Sequence, residues 1–161
     1  VPEVIAENGG VAIRSRVGHS YIKNLMAQSG AIFGGEHSGH FYFNDFWRAA
    51  SGMLAALYAL AELMGSSTTL SDLLKPYNRY SSSGEINSKV KNVTKSIEIV
   101  RSKYLNQHQV DELDGLTVTA ESWWFNLRPS NTEPLLRLNV EANTEKEMVK
   151  IRDTVLALIE R

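Results

Sequence analysis

Residues 135–141 read Leu-Leu-Arg-Leu-Asn-Val-Glu. Leu136, Leu138 and Val140 fall on one face of this run, and Arg137, Asn139 and Glu141 on the other. A period of two is that of a strand with one face buried and one wet, the usual condition of an antiparallel sheet. Upstream, Ser122–Arg128 and Leu116-Thr117-Val118-Thr119-Ala120 read as two further strands. The first of these is joined to residues 135–141 by Pro129-Ser130-Asn131-Thr132-Glu133-Pro134. Downstream, Thr144 and Glu147 stand at capping-box spacing, and Met148, Ile151, Val155 and Leu158 recur as the buried stripe of a helix. Farther upstream, Glu85–Val90 predicts another strand, and Val93, Ile97, Val100 and Tyr104 mark one face of a second helix. The neighbouring Trp123 and Trp124 must point to opposite sides of their strand, one into the core and one outward. The second half of the chain is therefore an α+β unit, an antiparallel sheet carrying two helices.

The texture changes at Asn78–Gly84, where Asn-Arg-Tyr-Ser-Ser-Ser-Gly places a boundary near Tyr80. Before it, Val11-Ala12-Ile13 reads as a short buried strand, residues 20–28 as a helix stopped by Ser29-Gly30, and Ala31-Ile32-Phe33 as a second strand. Strand, helix and strand in that order predict a parallel crossover, hence an α/β unit. Phe41-Tyr42-Phe43 predicts a third strand. Asp45 is then expected to cap a buried helix whose apolar positions are Phe46, Ala50, Met53, Leu57, Leu60 and Met64, ended by Gly65-Ser66-Ser67. Leu70–Leu74 predicts a short helix closed by Pro76.

A chain of 161 residues suits one domain or two small ones. Its 17 basic and 18 acidic residues leave a net charge of -1, so a general nucleic-acid or anionic-membrane role is not expected. Phe46–Met64, the most apolar stretch, is interrupted by Arg48, Ser51 and Glu62 and falls short of a membrane span. The sequence has no cysteine, which excludes disulfides and thiolate metal sites and fits a reducing, cytoplasmic setting. A start at Val1-Pro2-Glu3, without a signal pattern, suggests a processed chain or a piece of a longer one.

Three segments crowd polar residues and glycine beyond what a packing loop requires. Gly34-Gly35-Glu36-His37-Ser38-Gly39-His40 lies between two apolar runs. Glu36 offers acceptors, Ser38 a donor and an acceptor, and His40 either, a mixture suited to adjacent sugar hydroxyls. A solvated turn with incidental polar residues, or a metal site of His37, His40 and Glu36, are the alternatives, the latter disfavoured by the intervening glycine. Arg128-Pro129-Ser130-Asn131-Thr132-Glu133-Pro134 sets an arginine fork, hydroxyls, an amide and turn N–H groups where they can surround a phosphate. A long hairpin turn with a surface arginine is the plain alternative. Arg14-Ser15-Arg16-Val17-Gly18-His19 precedes the first helix, with His19 at its start as a proton donor, a ligand contact or a capping neighbour.

Together these segments resemble the α-D-phosphohexomutases. Gly35-Glu36-His37-Ser38-Gly39-His40 is similar to that family's sugar-recognition pattern G-E-x-S-G-H, Arg128–Pro134 to its phosphate loop R-x-S-N-T-x-P, and Val17–Lys23 to its G-H-x-x-I-K segment. Three short motifs in the family's order across the whole chain make the match specific. The Ser-Asn-Thr form of the phosphate loop is more like the branch acting on mannose phosphates, or on both mannose and glucose phosphates.

The resemblance implies a fold and a function. Residues 1–79 would be the C-terminal part of the family's third, α/β/α sugar-recognition domain. Residues 80–161 would be its fourth, phosphate-binding domain, an antiparallel sheet with two helices similar to the TATA-box-binding protein. The parent would interconvert mannose 6-phosphate and mannose 1-phosphate through a bisphosphorylated sugar; a glucose or glucosamine phosphate substrate, or a non-catalytic phosphosugar-binding module, are the alternatives. Glu36 and Ser38 would contact sugar hydroxyls, His40 would shape the loop or touch substrate, and His19 would lie near the reacting centre. Arg128, Ser130, Asn131 and Thr132 would bind the phosphate that is not transferred, with Arg137 behind them. The family's phosphoserine segment and Asp-x-Asp-x-Asp Mg²⁺ loop have no counterpart here, since Asp45, Asp72, Asp111, Asp114 and Asp153 never stand two apart. Mg²⁺, a sugar-bisphosphate activator and the family's N-terminal domains would thus belong to the parent, and this chain alone would be inactive.

Overall fold

The computed structural model describes residues 1–130 and 133–160. The chain divides into two compact units, Val1–Asn78 and Arg79–Arg161.

The C-terminal unit is built on the antiparallel sheet that the alternating runs predict. Its strands are β4 (Ser81–Ser82), β5 (Ile86–Lys89), β6 (Gln109–Asp111), β7 (Leu116–Thr119), β8 (Trp123–Pro129) and β9 (Leu135–Ala142). They run in the order β4-β9-β8-β7-β6, and β5 also pairs with β9, alongside the β4 pairing. Helices α5 (Val93–Tyr104) and α6 (Glu145–Ile159) cover one face. Leu116, Val118, Phe125, Leu127, Leu136, Leu138 and Val140 point from that face into the core, against Val100 and Tyr104 of α5 and Met148, Ile151, Val155 and Ile159 of α6. Burying each such side chain contributes roughly 1.5–3 kcal/mol. Ile159 takes the fully buried place that the spacing assigns to Leu158, which packs at the core's margin. Thr144 caps α6 by accepting from the Glu147 amide. The Glu147 carboxylate accepts from Ser122 Oγ at 2.8 Å and so ties the helix start to the sheet. Two short strands, β4 and β6, are too brief to leave a periodic signal.

The other sheet face carries the odd-numbered side chains of β9 and the even-numbered ones of β8. Across this pair Trp124 faces Glu141, Asn126 faces Asn139 and Arg128 faces Arg137. Trp124 donates its indole N–H to Glu141 at 3.1 Å. Trp123, on the core side, stacks on Phe125 and meets Tyr104 and His108 edge-on. Gly115, at φ +70°, immediately precedes β7; a Cβ there would sit 2.6 Å from the Leu127 carbonyl oxygen and the Arg128 Cβ.

The N-terminal unit departs from the parallel crossover. A first helix α1 (Pro2–Glu7) precedes α2 (His19–Ser29), which ends at Gly30 in the left-handed conformation, as the Ser-Gly signal predicts. Residues 11–13 form no strand, and Val11 is exposed, because no strand among the described residues supplies the ladder partner that an extended backbone requires. The strands that do form, β1 (Phe33–Gly35), β2 (Phe41–Phe43) and β3 (Ala49–Ala50), make an antiparallel sheet in sequence order. A connection as short as residues 36–40 joins antiparallel neighbours; parallel ones need a dozen residues or more. Gly34 lies within β1 rather than after it. A Cβ there would press on Ile22 and Met26 at 3.0–3.1 Å, so glycine lets α2 approach the sheet.

Asp45 caps no long helix. Asn44–Phe46 is a single 3₁₀ turn, Trp47 and Arg48 take positive φ, and the chain returns as β3 against β2. Helix α3 (Gly52–Gly65) starts at Ser51, whose Oγ accepts from the Leu54 amide at 3.1 Å. Its apolar stripe is exposed instead of buried: Met53 at 75% and Met64 at 85%. Phe43 of β2 stacks on Tyr58 of α3 with ring centroids 5.4 Å apart, off the exposed stripe. The short helix α4 (Leu70–Leu74) follows, and Pro76 continues into a 3₁₀ turn. No single helix of the described chain is long and apolar enough to cross a membrane.

Candidate functional site

The segment 36–40 is the loop of the β1–β2 hairpin. The Glu36 amide donates to the His40 carbonyl at 2.9 Å, and the Gly39 amide to the Glu36 carbonyl at 3.0 Å. Gly39, at φ +82°, supplies the left-handed step that lets a three-residue turn close a twisted hairpin. This tight frame gathers the polar side chains. Ser38 Oγ donates to Glu36 Oε2 at 3.0 Å and lies 3.0 Å from His40 Nδ1.

His19, 23 positions from Tyr42, reaches the same cluster from the first turn of α2, with Nδ1 2.7 Å from the Tyr42 hydroxyl. That hydroxyl donates to Glu36 Oε1. The His19 and His40 rings meet edge to face with centroids 4.6 Å apart. His19, Glu36, Ser38 and His40 thus converge, and the group that joins them is Tyr42. Its ring is fully buried between Ile22 and Met26. Burial, and then the hydrogen bond to Glu36 and that residue's charge, hold the Tyr42 hydroxyl well above the usual tyrosine range. It stays protonated and remains a donor. Sequence reasoning passes over Tyr42 as the middle of an apolar strand; its position two after His40, hence on the same strand face, is the signal that finds it.

In the C-terminal unit, β8 and β9 set Arg128 directly opposite Arg137. Like charges so placed repel, and Glu85, just before β5, lies between them. Its Oε2 accepts from Arg128 Nη2 at 3.2 Å, and its Oε1 is 3.3 Å from Arg137 Nη1. Arg137 Nη2 donates to Ser130 Oγ at 3.3 Å, while its Nε is buried with no hydrogen-bond partner among the described residues. Two guanidinium groups against one carboxylate leave a local positive balance beside the loop. Arg128 and Ser130 are therefore brought together through Arg137 and Glu85, and Glu85 carries no sequence signal because it lies 43 positions from Arg128. Asn131 and Thr132 lie outside the described residues.

Among the described residues no group of three or more His, Cys, Asp or Glu is placed to hold a metal ion. The described site residues therefore do not fit Mg²⁺.

Comparison with known proteins bears on both segments. Residues 1–80 match the model described as phosphoglucomutase/phosphomannomutase, alpha/beta/alpha domain III, and residues 85–158 match that of the C-terminal domain of the same family. A phosphomannomutase of Methanocaldococcus jannaschii is 45% identical over 159 residues, covering 99% of this chain and 35% of that protein. One from Escherichia coli strain K12 is 38% identical over 160 residues, 98% of this chain and 35% of its own length. Among solved structures, a phosphoglucomutase/phosphomannomutase family protein from Burkholderia thailandensis has a TM-score of 0.81 at 27% identity, covering 98% of this chain and 34% of that one. The chain spans about 35% of the length of the curated relatives it matches.

Proposed function

Because this chain belongs to the phosphoglucomutase/phosphomannomutase family, matching its third and C-terminal domains, we propose that it supplies the sugar-reading and phosphate-gripping part of a mutase acting on mannose phosphates. On this reading residues 1–79 read the sugar and residues 80–161 hold the phosphate that stays in place, while the remaining domains of the parent supply the phosphoserine and Mg²⁺. The parent interconverts mannose 6-phosphate and mannose 1-phosphate through a bisphosphorylated sugar, which also serves as activator, in the cytoplasm.

The observation that carries the reading is the arginine pair at the end of the β8–β9 ladder. Arg128 and Arg137 outnumber the one carboxylate between them, and the buried Arg137 Nε has no hydrogen-bond partner among the described residues. A phosphate oxyanion satisfies such donors through charge-assisted bonds, with Ser130, Asn131 and Thr132 completing the loop. At the hairpin, Glu36 uses one lone pair on each oxygen for Tyr42 and Ser38, which leaves capacity for sugar hydroxyls. His40 holds Ser38 in place, and His19 lines the same cluster. Gripping the distant phosphate uses binding energy remote from the reacting end to position the sugar, and a hairpin that reads hydroxyls common to both orientations suits a reversible exchange.

Backbone-amide NMR of the labelled chain tests this. Inorganic phosphate is expected to shift Arg128 to Thr132, and mannose 1-phosphate to shift these and Glu36 to His40 as well. No shift at either segment with millimolar ligand, in the chain and again in the full-length parent, overturns the assignment. The chain alone is expected to show no mutase turnover; metal-dependent turnover by it would refute the division of labour.

A further inference from the structure

We infer that Tyr42 is a positioning residue that sets the tautomer of His19, and that Ser38 does the same for His40, both relays ending on the single carboxylate of Glu36. The inference rests on the reading of the hairpin as the sugar site.

A hydroxyl has one hydrogen to give. That of Tyr42 goes to Glu36 Oε1, so its oxygen can only accept from His19. The ring atom facing it at 2.7 Å is Nδ1, and this contact is a hydrogen bond only if Nδ1 carries the proton. The same logic applies on the other side. The Ser38 hydrogen goes to Glu36 Oε2, and His40 Nδ1, 3.0 Å from the Ser38 oxygen, must donate to it. Each neutral imidazole is therefore held as the Nδ1–H form, and each Nε2 is an acceptor. A free neutral histidine favours the opposite form, so the two hydroxyls act against an intrinsic preference.

The two relays draw on different parts of the fold. Ser38 belongs to the exposed hairpin loop. Tyr42 is fully buried, its ring locked against α2, the helix that carries His19. The hydroxyl thus fixes one imidazole from below, while the loop fixes the other from the side of the turn. The ring centroids lie 4.6 Å apart, so the two tautomers are set side by side within one cluster.

The test reads the ring nitrogens directly. Long-range ¹H–¹⁵N correlation spectra of the labelled chain, at a pH where the imidazoles are neutral, are expected to show His19 and His40 protonated at Nδ1. Tyr42→Phe keeps the buried ring and removes only the hydroxyl. It is expected to move His19 to the Nε2–H form and leave His40 unchanged. Ser38→Ala is expected to move His40 and leave His19 unchanged. His108, in the other unit, is the internal reference. An Nε2–H form of His19 in the native chain, an unaltered His19 in Tyr42→Phe, or both rings moving together in either variant would each overturn the proposal. Because no sugar enters the measurement, a failed sugar titration leaves this result standing, and the reverse holds as well.

Discussion

The two units handle the same problem, holding a polar cluster on a small sheet, in opposite ways. In the C-terminal unit the strands β8 and β9 keep the two tasks on two faces. Phe125, Leu127, Leu136 and Leu138 bind the helices, and Arg128 and Arg137 stand on the far side. In the N-terminal unit one residue does both. Tyr42 is one of three buried core residues, with Ile22 and Met26, and its hydroxyl is also the junction of the polar cluster. The first arrangement lets the site change without touching the core. The second makes the site as well ordered as the core beneath it, and as vulnerable.

The largest expected effect separates the two cores. Phe125→Ala should cost about 3–5 kcal/mol, the usual cost of emptying a fully packed aromatic site, whereas Met53→Ala on the exposed stripe of α3 should stay within about 0.5 kcal/mol. Urea unfolding of both variants decides it. An equal loss at Met53 would show that the stripe is covered, and the contrast would fail.

Next comes the arginine face. Arg128→Ala should weaken phosphate binding by about tenfold or more, since a charge-assisted bond contributes roughly 1.5–3 kcal/mol, with the unfolding midpoint nearly unmoved. In the full-length parent the same change should raise KM and lower kcat/KM. A large loss of stability with intact binding would mean that the two faces are not independent.

Smaller is Glu85→Gln. Removing the charge between opposed guanidiniums should destabilise the unit by about 1 kcal/mol, and added salt should recover part of the loss by screening. Salt-independent loss would assign Glu85 a packing role instead.

Of similar size is the pair Thr144→Ala and Ser51→Ala, which remove the side-chain caps of α6 and α3. Each should cost about 1 kcal/mol. A cap depends on its own turn and not on the core behind it, so here the two units should agree. A clear difference between them would extend the contrast down to local structure.

How far the residues speak for themselves follows the same division. The alternation of Leu136, Leu138 and Val140 and the spacing of Met148, Ile151 and Val155 describe the C-terminal unit closely, because each strand and helix there shows its buried face to a partner within the unit. Where that condition fails the reading fails with it. Val11-Ala12-Ile13 has strand composition and no ladder partner, and Met53, Leu57 and Met64 have helical spacing and no cover. Ala49-Ala50, read as part of a helix, is drawn into the sheet by pairing with Tyr42 and Phe43. Of the candidate site residues, His19, Glu36, Ser38, His40, Arg128 and Ser130 are singled out by motif, whereas Tyr42 and Glu85, which the structure places among them, are not.

The amino-acid sequence by itself determined the antiparallel C-terminal sheet, the Thr144 cap of α6 and the motifs that mark the family. These signals are local: a period, a cap, a spacing of a few residues. The tertiary structure alone decided that the N-terminal strands run antiparallel, that Tyr42 links His19 to Glu36 across 23 positions, and that Glu85 comes between Arg128 and Arg137 from 43 positions away. The reason is physical. A hydroxyl or a carboxylate carries no mark of its partner in the chain, and which donor it meets depends on which backbones the ladder and the core bring together.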